Sequence, residues 1–314
     1  MKKYLTKGFI LGLAFTSMFA SAQDIYIPVV SKGYQHEFWQ TVKKGSEAAA
    51  KEFNIRTNFV GPADETQVAQ QIQLMEDMLI QNPKAILLSS LDVNALIPIV
   101  ETAHSRGIIV ATFDSGIASD LPVTFVATNN RSAGAVAADE MAKLIDQKGI
   151  VGIIAHVAGT STAIERSEGF INRMKEKYPD ITVLATQYSD GDPQKAMDKT
   201  IDMIRANTGL VGIYATNEGA TLGVANAIQS NKLENKIKVI GFDSTEAIID
   251  FVNQGIIQGF IVQDPFQMGY QGIKALSLAL KGEPIEKQID VAAGFVTKEN
   301  MQDPVIQKLL YPLQ

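Results

Sequence analysis

Cysteine is absent from the 314 residues. Its absence excludes disulfides, thiolate metal sites, cysteine nucleophiles and cysteine-ligated iron–sulfur clusters together. Histidine is scarce, with only His36, His104 and His156, so a zinc site would have to be built mostly from carboxylates. Positive charge is also short. The 28 Lys and Arg face 34 Asp and Glu, a net charge of −6, which leaves no basic footprint for nucleic acid. The motifs G-x-S-x-G, H-E-x-x-H and G-x-x-x-x-G-K-[ST] are missing, as is a glycine fingerprint after a strand. No enzyme activity and no cofactor are therefore expected. There is no Pro/Gly/Ser-rich linker and no low-complexity stretch, so two domains, if present, are joined by stiff crossings rather than a tether.

What is present is a globular composition, 46% hydrophobic and 20% charged, over a length suited to about two domains. Residues 1–22 read as an export signal: Lys2, Lys3 and Lys7, then an apolar run from Gly8 to Phe19, then Ala20-Ser21-Ala22 as a cleavage site. The run is shorter than the roughly 20 residues needed to span a bilayer. Cleavage after Ala22 would leave 292 residues. With three lysines and no acid removed, the net charge would move from −6 to −9. An exported, acidic, soluble protein in the periplasm is the expectation.

From Gln23 onward, short apolar runs alternate with segments of helical period. The runs are Ile25–Val30, Ala85–Leu88, Ile108–Phe113, Thr124–Ala127, Ile150–Ala155, Leu210–Ala215, Lys238–Phe242 and Gly259–Gln263, with weaker ones at Arg56–Val60 and Thr182–Tyr188. Their near-continuous Val, Ile and Leu suit parallel strands covered on both faces. Val68, Ile72, Met75 and Leu79 share one helical face, as do Phe38, Val42, Gly45, Ala49 and Phe53. Thr162-x-x-Glu165 and Asp64-x-x-Gln67 read as capping boxes. Repeated β–α units of about 25–35 residues predict an α/β fold with two parallel sheets and right-handed crossovers, jointed near Ala127–Asn130.

In open parallel sheets, ligands collect outside the carboxyl ends of the strands. Here those ends carry Ser31 with His36, Phe38 and Trp39 beyond it, then Ser89, Asp114 and Ser115, His156, Asn217, Asp243 and Gln263, and Arg166 follows in the helix after His156. Carboxylate, amide and guanidinium groups can make paired bonds to vicinal hydroxyls, and the rings of Phe38 and Trp39 offer flat faces to the C–H side of a sugar. The set reads as a carbohydrate site. Each member also has a plainer reading. Asp243 and Asn217 also read as helix caps alone, Phe38 shares the face running to Phe53, and Arg166 has Glu165 and Glu168 as ion-pair partners. Trp39 lies off that face and reads as exposed toward ligand. His104 reads as a helix-surface residue, and His156 is evenly poised between ligand contact and structural bond. Asp114 and Asp243 are the pair a glycosidase would need, but binding is the favoured reading.

The stretches VVSKGYQHEFWQTVKKG, ILLSSLDVNAL, FDSGI, FVATNNRSAG, AGTSTAIERSEGF, YATNEGATLG, VIGFDSTEAI and IQGFIVQDPFQMGYQG, in this order along the whole chain, resemble the type I periplasmic sugar-binding proteins of ABC importers. The resemblance implies two Rossmann-like lobes joined by three hinge crossings, with 23–127 plus 265–291 forming one lobe and 128–264 plus 292–314 the other. It implies a small sugar or polyol held between them by His36, Phe38, Trp39, Ser89, Asp114, Arg166, Asn217, Asp243 and Gln263, with Ser31 less firmly placed. The implied partners are an ABC permease, or alternatively a chemoreceptor or sensor kinase, and the chain is expected to be a monomer. Three positions depart from the ribose-binding pattern. The loop asparagine is His36, the arginine after the strand-end aspartate is Ser115, and the second lobe's stacking aromatic is Gly191. These departures argue against ribose and for a differently shaped sugar or polyol, with His156 or Tyr188 as further candidates to reach into the vacated space.

Overall fold

The computed structural model describes residues 25–312; the expected export segment and its cleavage site lie outside the described residues. In chain order the elements are β1 (Val29–Val30), α1 (Glu37–Glu52), β2 (Phe59–Val60), α2 (Val68–Ile80), β3 (Ala85–Leu88), α3 (Ile97–Ser105), β4 (Ile109–Phe113) and β5 (Phe125–Ala127). Then come α4 (Asn130–Leu144), β6 (Gly149–Ala155), α5 (Ser161–Lys177), β7 (Ile181–Val183), β8 (Gln187–Tyr188), α6 (Pro193–Ala206), β9 (Leu210–Ala215) and α7 (Glu218–Ser230). The chain continues through β10 (Lys238–Phe242), α8 (Glu246–Asn253), β11 (Gly259–Gln263), α9 (Pro265–Leu280), β12 (Gln288–Asp290), β13 (Ala293–Val296) and α10 (Pro304–Leu310).

Two sheets result. The first runs β2-β1-β3-β4-β5-β12, all parallel. The second runs β7-β6-β9-β10-β11-β13, with β8 also on β6, and only β13 is antiparallel. In each, the first strand lies inside the sheet with later strands on both sides of it, β2 and β3 flanking β1, and β7 with β8 opposite β9 flanking β6, so the connections turn in opposite directions on either side of it. That switch point opens a crevice at the strands' carboxyl ends. The chain passes between sheets after β5, after β11 and between β12 and β13. Buried Val, Ile, Leu and Ala fill both faces of the central strands, as their unbroken apolar runs require.

Close helix pairs fix where each lobe presents its site residues. In the first lobe α1 packs against α9 through Gly45 and Gly269. A β-carbon on Gly45 would strike the Phe266 carbonyl, and one on Gly269 the Val42 carbonyl. In the second lobe α4 packs against α5 through Gly134 and Gly169, whose β-carbons would strike the carbonyls of Arg166 and Arg131. Neither pair tolerates a side chain between the backbones.

Some local expectations are corrected. The run 182–188 is two short strands, β7 and β8, because residues 184–186 leave the ladder. The N-cap of α5 is Thr160, whose Oγ1 accepts from Ala163 N at 3.3 Å, while Thr162 lies inside the helix. Asp64 does not cap α2, which starts after Gln67; its carboxylate instead accepts from Thr66 N at 2.9 Å and Gln67 Nε2 at 2.7 Å, closing a turn. Strands β12 and β13 were not marked by apolar runs, since most of their residues are exposed or half-buried edge positions.

Candidate functional site

The strand-end residues converge on one gap between the sheets. It is a narrow gap lined by Lys32, His36, Phe38, Trp39, Glu65, Asp114, His156, Arg166, Asn217, Asp243 and Gln263. Asp114 ends β4 and Asp243 ends β10, matching positions in the two lobes. Both take left-handed backbone, with φ of 52° and 70°. Such φ values are uncommon outside glycine, and Asp is among the residues that tolerate them. Here they coincide with two carboxylates aimed at one crevice.

On the first-lobe side, Lys32 Nζ sits 2.9 Å from Asp114 Oδ2, 3.0 Å from Ser115 Oγ and 5.5 Å from the Trp39 ring centroid. Lys32 thus supplies a cation beside the aspartate where Ser115 leaves none. Ser89 Oγ donates to the same carboxylate oxygen at 3.0 Å, so Ser89 orients Asp114 rather than lining the gap itself. Ser31 is spent on its own loop, its Oγ 3.0 Å from the Gly33 carbonyl and 3.2 Å from that of Val60, and it lies outside the lining. Trp39 is buried, not exposed. It packs edge-to-face on Phe38 and Phe113, and its indole N–H donates to Glu65 Oε1 at 2.9 Å. Phe38 is the half-buried ring at the gap's edge, where a ligand-facing ring belongs; only the expected exposure of Trp39 is corrected, and it too lines the gap. The helix face is wide enough to carry both, and the indole gains a buried acceptor that phenyl cannot use.

On the second-lobe side, Arg166 is buried and is no surface ion pair; the surface pair is Arg131–Glu168. Its guanidinium donates from Nε to Asn130 Oδ1 at 2.8 Å, from Nη1 to the Thr216 carbonyl at 2.8 Å and from Nη2 to Gln263 Oε1 at 3.1 Å. It lies 3.7 Å over the Phe242 ring centroid. Asp243 accepts from Gln263 Nε2 at 2.6 Å and from Glu218 N at 2.9 Å. Burial raises its carboxyl above the ordinary range, opposed by Arg166 and the Gln263 bond. Asn217 caps α7 with Oδ1, which accepts from Ala220 N at 2.9 Å, and still lines the gap. Asp243 does not cap α8, which Thr245 caps; its Oδ2 instead takes the first N–H of α7, that of Glu218.

His156 places Nδ1 2.9 Å from Thr216 Oγ1 and Nε2 2.8 Å from Thr162 Oγ1. Burial pushes its pKa well below the ordinary value, and the charges of Lys32, Arg166 and His36 add to this, so the ring is neutral. Its structural bonds and its place in the lining coexist. Tyr188, by contrast, is exposed at the end of β8 and outside the lining.

The lobes touch across the gap. Thr162 Oγ1 lies 3.3 Å from Lys32 Nζ and 3.1 Å from Ser115 Oγ, and Gly116 N donates to Ser161 Oγ at 3.0 Å. Glu218 of α7 reaches the start of α1, 3.4 Å from both Glu37 N and Phe38 N and 3.3 Å from His36 Nδ1. A carboxylate from one lobe therefore faces the positive end of a helix in the other. Burial lowers the His36 pKa, but the Glu218 bond and the charges of Glu65, Glu218 and Asp243 outweigh it and leave it raised.

Lys32, Glu65 and Glu218 were not singled out from the sequence. Lys32 looks like a solvated loop lysine after a strand, Glu65 falls within a turn signal, and Glu218 looks like an ordinary first-turn acid. Among the described residues no group of His, Asp and Glu is arranged to hold a metal ion, and no helix is long and apolar enough to cross a membrane.

Two α/β lobes, three crossings and a polar gap at facing strand ends define a two-lobed solute-binding protein. The periplasmic binding protein domain matches residues 27–284, and the chain belongs to that family. It is 30% identical to the ribose import binding protein RbsB of Haemophilus influenzae over 93% of this chain and 98% of that one. A carbohydrate transporter solute-binding protein from Agrobacterium radiobacter, solved with D-arabinose, superposes with a TM-score of 0.89 at 36% identity, covering 92% of this chain and all of that one. An ABC transporter solute-binding protein from Agrobacterium vitis, solved with D-fucose, gives 0.88 at 33% identity, covering 91% and 100%. These relatives are transport binding proteins rather than enzymes.

Proposed function

We propose that the chain captures a monosaccharide or closely related polyol in the periplasm and hands it to the membrane permease of an ABC importer, without chemical turnover. One observation carries the reading. Asp114 and Asp243, the strand-end carboxylates of opposite lobes, line one gap together with Arg166, Asn217, Gln263 and the ring of Phe38. Carboxylates, amide and guanidinium can bracket the hydroxyls of a small ring, while the aromatic faces its C–H surface. The ribose, arabinose and fucose named for the relatives support a neutral pentose or hexose as the ligand class.

The mechanism is capture by closure. The lobes, with bounds at 127/128, 264/265 and 291/292, rotate about the three crossings, and a ligand that contacts both stabilises the closed arrangement by its extra contacts there. A hydroxyl of the wrong configuration leaves a buried polar group unpaired, at a cost of about 1–3 kcal/mol, which is the basis of selectivity. Export through the signal segment with cleavage after Ala22 completes the proposal. The test is calorimetric titration with D-ribose, D-allose, D-arabinose, D-fucose and D-galactose. At least one binds the unmodified protein and is recovered chemically unaltered. The folded Asp114→Ala/Arg166→Ala double variant loses that binding by at least about a hundredfold, from two charged hydrogen-bonding groups. Near-native affinity in the double variant would place the ligand elsewhere.

A further inference from the structure

Two buried polar atoms in the gap have no hydrogen-bond partner, Glu65 Oε2 and His36 Nε2. Their residues are only 3% and 5% exposed. Both face the same small volume, as Gly191 locates it. A β-carbon built there would lie 3.5 Å from His36 Nε2, 3.6 Å from Asn217 Nδ2 and 3.6 Å from Glu65 Oε2. Gly191 has φ +72°, which glycine adopts without penalty, and its loop is pinned against α7, since a β-carbon on Gly219 would strike the Gly191 carbonyl. The volume is thus held open by the backbone rather than by a movable side chain.

We infer that Glu65, with His36 and Asn217 around Gly191, forms a hydroxyl-selecting subsite that decides which sugar the protein accepts. The inference rests on the sugar-binding reading above. Glu65 is fixed for the task, because Trp39 Nε1–H occupies Oε1 and leaves Oε2 as the sole free acceptor. Asn217 has committed its oxygen to capping α7, so it presents only its amide N–H. A hydroxyl fits this set, since it can donate to Glu65 Oε2 while accepting from Asn217 or from His36 Nε2–H. A hydrogen or methyl in its place would leave the carboxylate oxygen buried and unpaired. Lys32 stands beside Asp114, Arg166 near Asp243, and His36 between Glu65 and Glu218; the carboxylates outnumber the cations, which disfavours an anion, and an ammonium group, which can only donate, has no acceptor to offer the Asn217 amide N–H, so a neutral hydroxyl suits the set best.

Glu65→Gln is the discriminating variant. The indole N–H forces the amide oxygen toward Trp39, so the amide N–H₂ turns to the subsite and replaces an acceptor by donors. The sugar that binds the unmodified protein most tightly in the panel of D-ribose, D-allose, D-arabinose, D-galactose and D-fucose is titrated alongside its monodeoxy analogues. In the unmodified protein one deoxy position weakens binding about 10- to 100-fold, as loss of a bond to a charged group does. In Glu65→Gln the parent sugar is weakened by a similar factor, and the same deoxy position then changes affinity by less than about threefold. Unchanged thermal stability with the ring contacts of Trp39 intact, read by near-ultraviolet circular dichroism, separates this from unfolding. Glu65→Asp serves in place of Glu65→Gln if the latter fails to fold, and is read by the same cycle. The inference is overturned if the parent binds the variant normally, if every deoxy analogue loses equally in both proteins, or if the corresponding amino sugar binds the unmodified protein better than the parent. If no sugar of the panel binds the unmodified protein, the sugar-binding reading fails and the subsite falls with it.

Discussion

His36 and His156 sit in the same gap and respond to pH in opposite senses, because their neighbours differ. His156 has threonine hydroxyls at both ring nitrogens and cations nearby, so folding holds it neutral. His36 faces Glu65, Glu218 and Asp243, and their combined pull overcomes its burial and favours the proton. A histidine whose pKa is raised by folding contributes stability in full below its unfolded pKa, about 6.5, and loses that contribution as pH climbs through the folded value. One whose pKa is depressed contributes above about 6.5 and loses that contribution as pH falls toward the folded value. His36→Asn should therefore narrow the stability gap to the unmodified protein as pH rises from about 5.5 to about 9. His156→Asn should narrow it in the other direction, as pH falls. Thermal unfolding across that range checks both, and parallel curves for the unmodified protein and His36→Asn would show that the carboxylates do not hold a proton on the ring.

At the scale of elements, the glycine-mediated helix crossings position the site. Gly134 of α4 lies against the backbone of α5 at Arg166 itself, so the spacing of those helices sets how far the guanidinium reaches toward Gln263. In Gly134→Ala the added methyl meets a carbonyl that cannot swing aside. Overpacking of this kind costs about 1–3 kcal/mol, more than the roughly 1 kcal/mol that alanine gains over glycine in a helix. The expected result is a melting temperature several degrees lower, at about 2–4 °C per kcal/mol for a chain of this size, with weakened sugar binding because α5 shifts. An unchanged melting temperature would mean the helices separate freely. The main strands and the strand-end polar residues were legible in the sequence for a physical reason. Strands buried on both faces must be apolar throughout, so Ala85–Leu88 and Leu210–Ala215 stand out, and the polar residue that ends each run marks the sheet's carboxyl edge. Edge strands such as β12 need no such run. Lys32 and Glu65 come from connecting loops, where no period ties a residue to a face, and their roles exist only once the Asp114 and Trp39 side chains are placed beside them. Trp39 went the other way, because which of two adjacent rings enters the core depends on Glu65, a partner 26 residues away.

At the scale of the whole molecule, the contact of Glu218 with the start of α1 links ligand capture to lobe closure. Glu218 does not line the gap, yet its carboxylate bridges the lobes by facing Glu37 N, Phe38 N and His36 Nδ1. Negative charge at a helix N-terminus is worth about 0.3–1 kcal/mol, and up to about 2 when partly buried. This interaction exists only while the lobes are together, so it favours the closed state whether or not sugar is present. Glu218→Gln keeps the shape and removes the charge. Apparent affinity scales with the fraction of molecules able to close, so the variant should bind the preferred sugar about 3- to 10-fold more weakly while ranking the sugars in the same order. Small-angle scattering should show the unliganded variant more extended than the unmodified protein, with the two converging at saturating sugar. A changed ranking would mean that Glu218 touches the ligand. Identical scattering together with identical affinity would mean that the crossings alone set the balance between open and closed, and that the bridge contributes nothing to it.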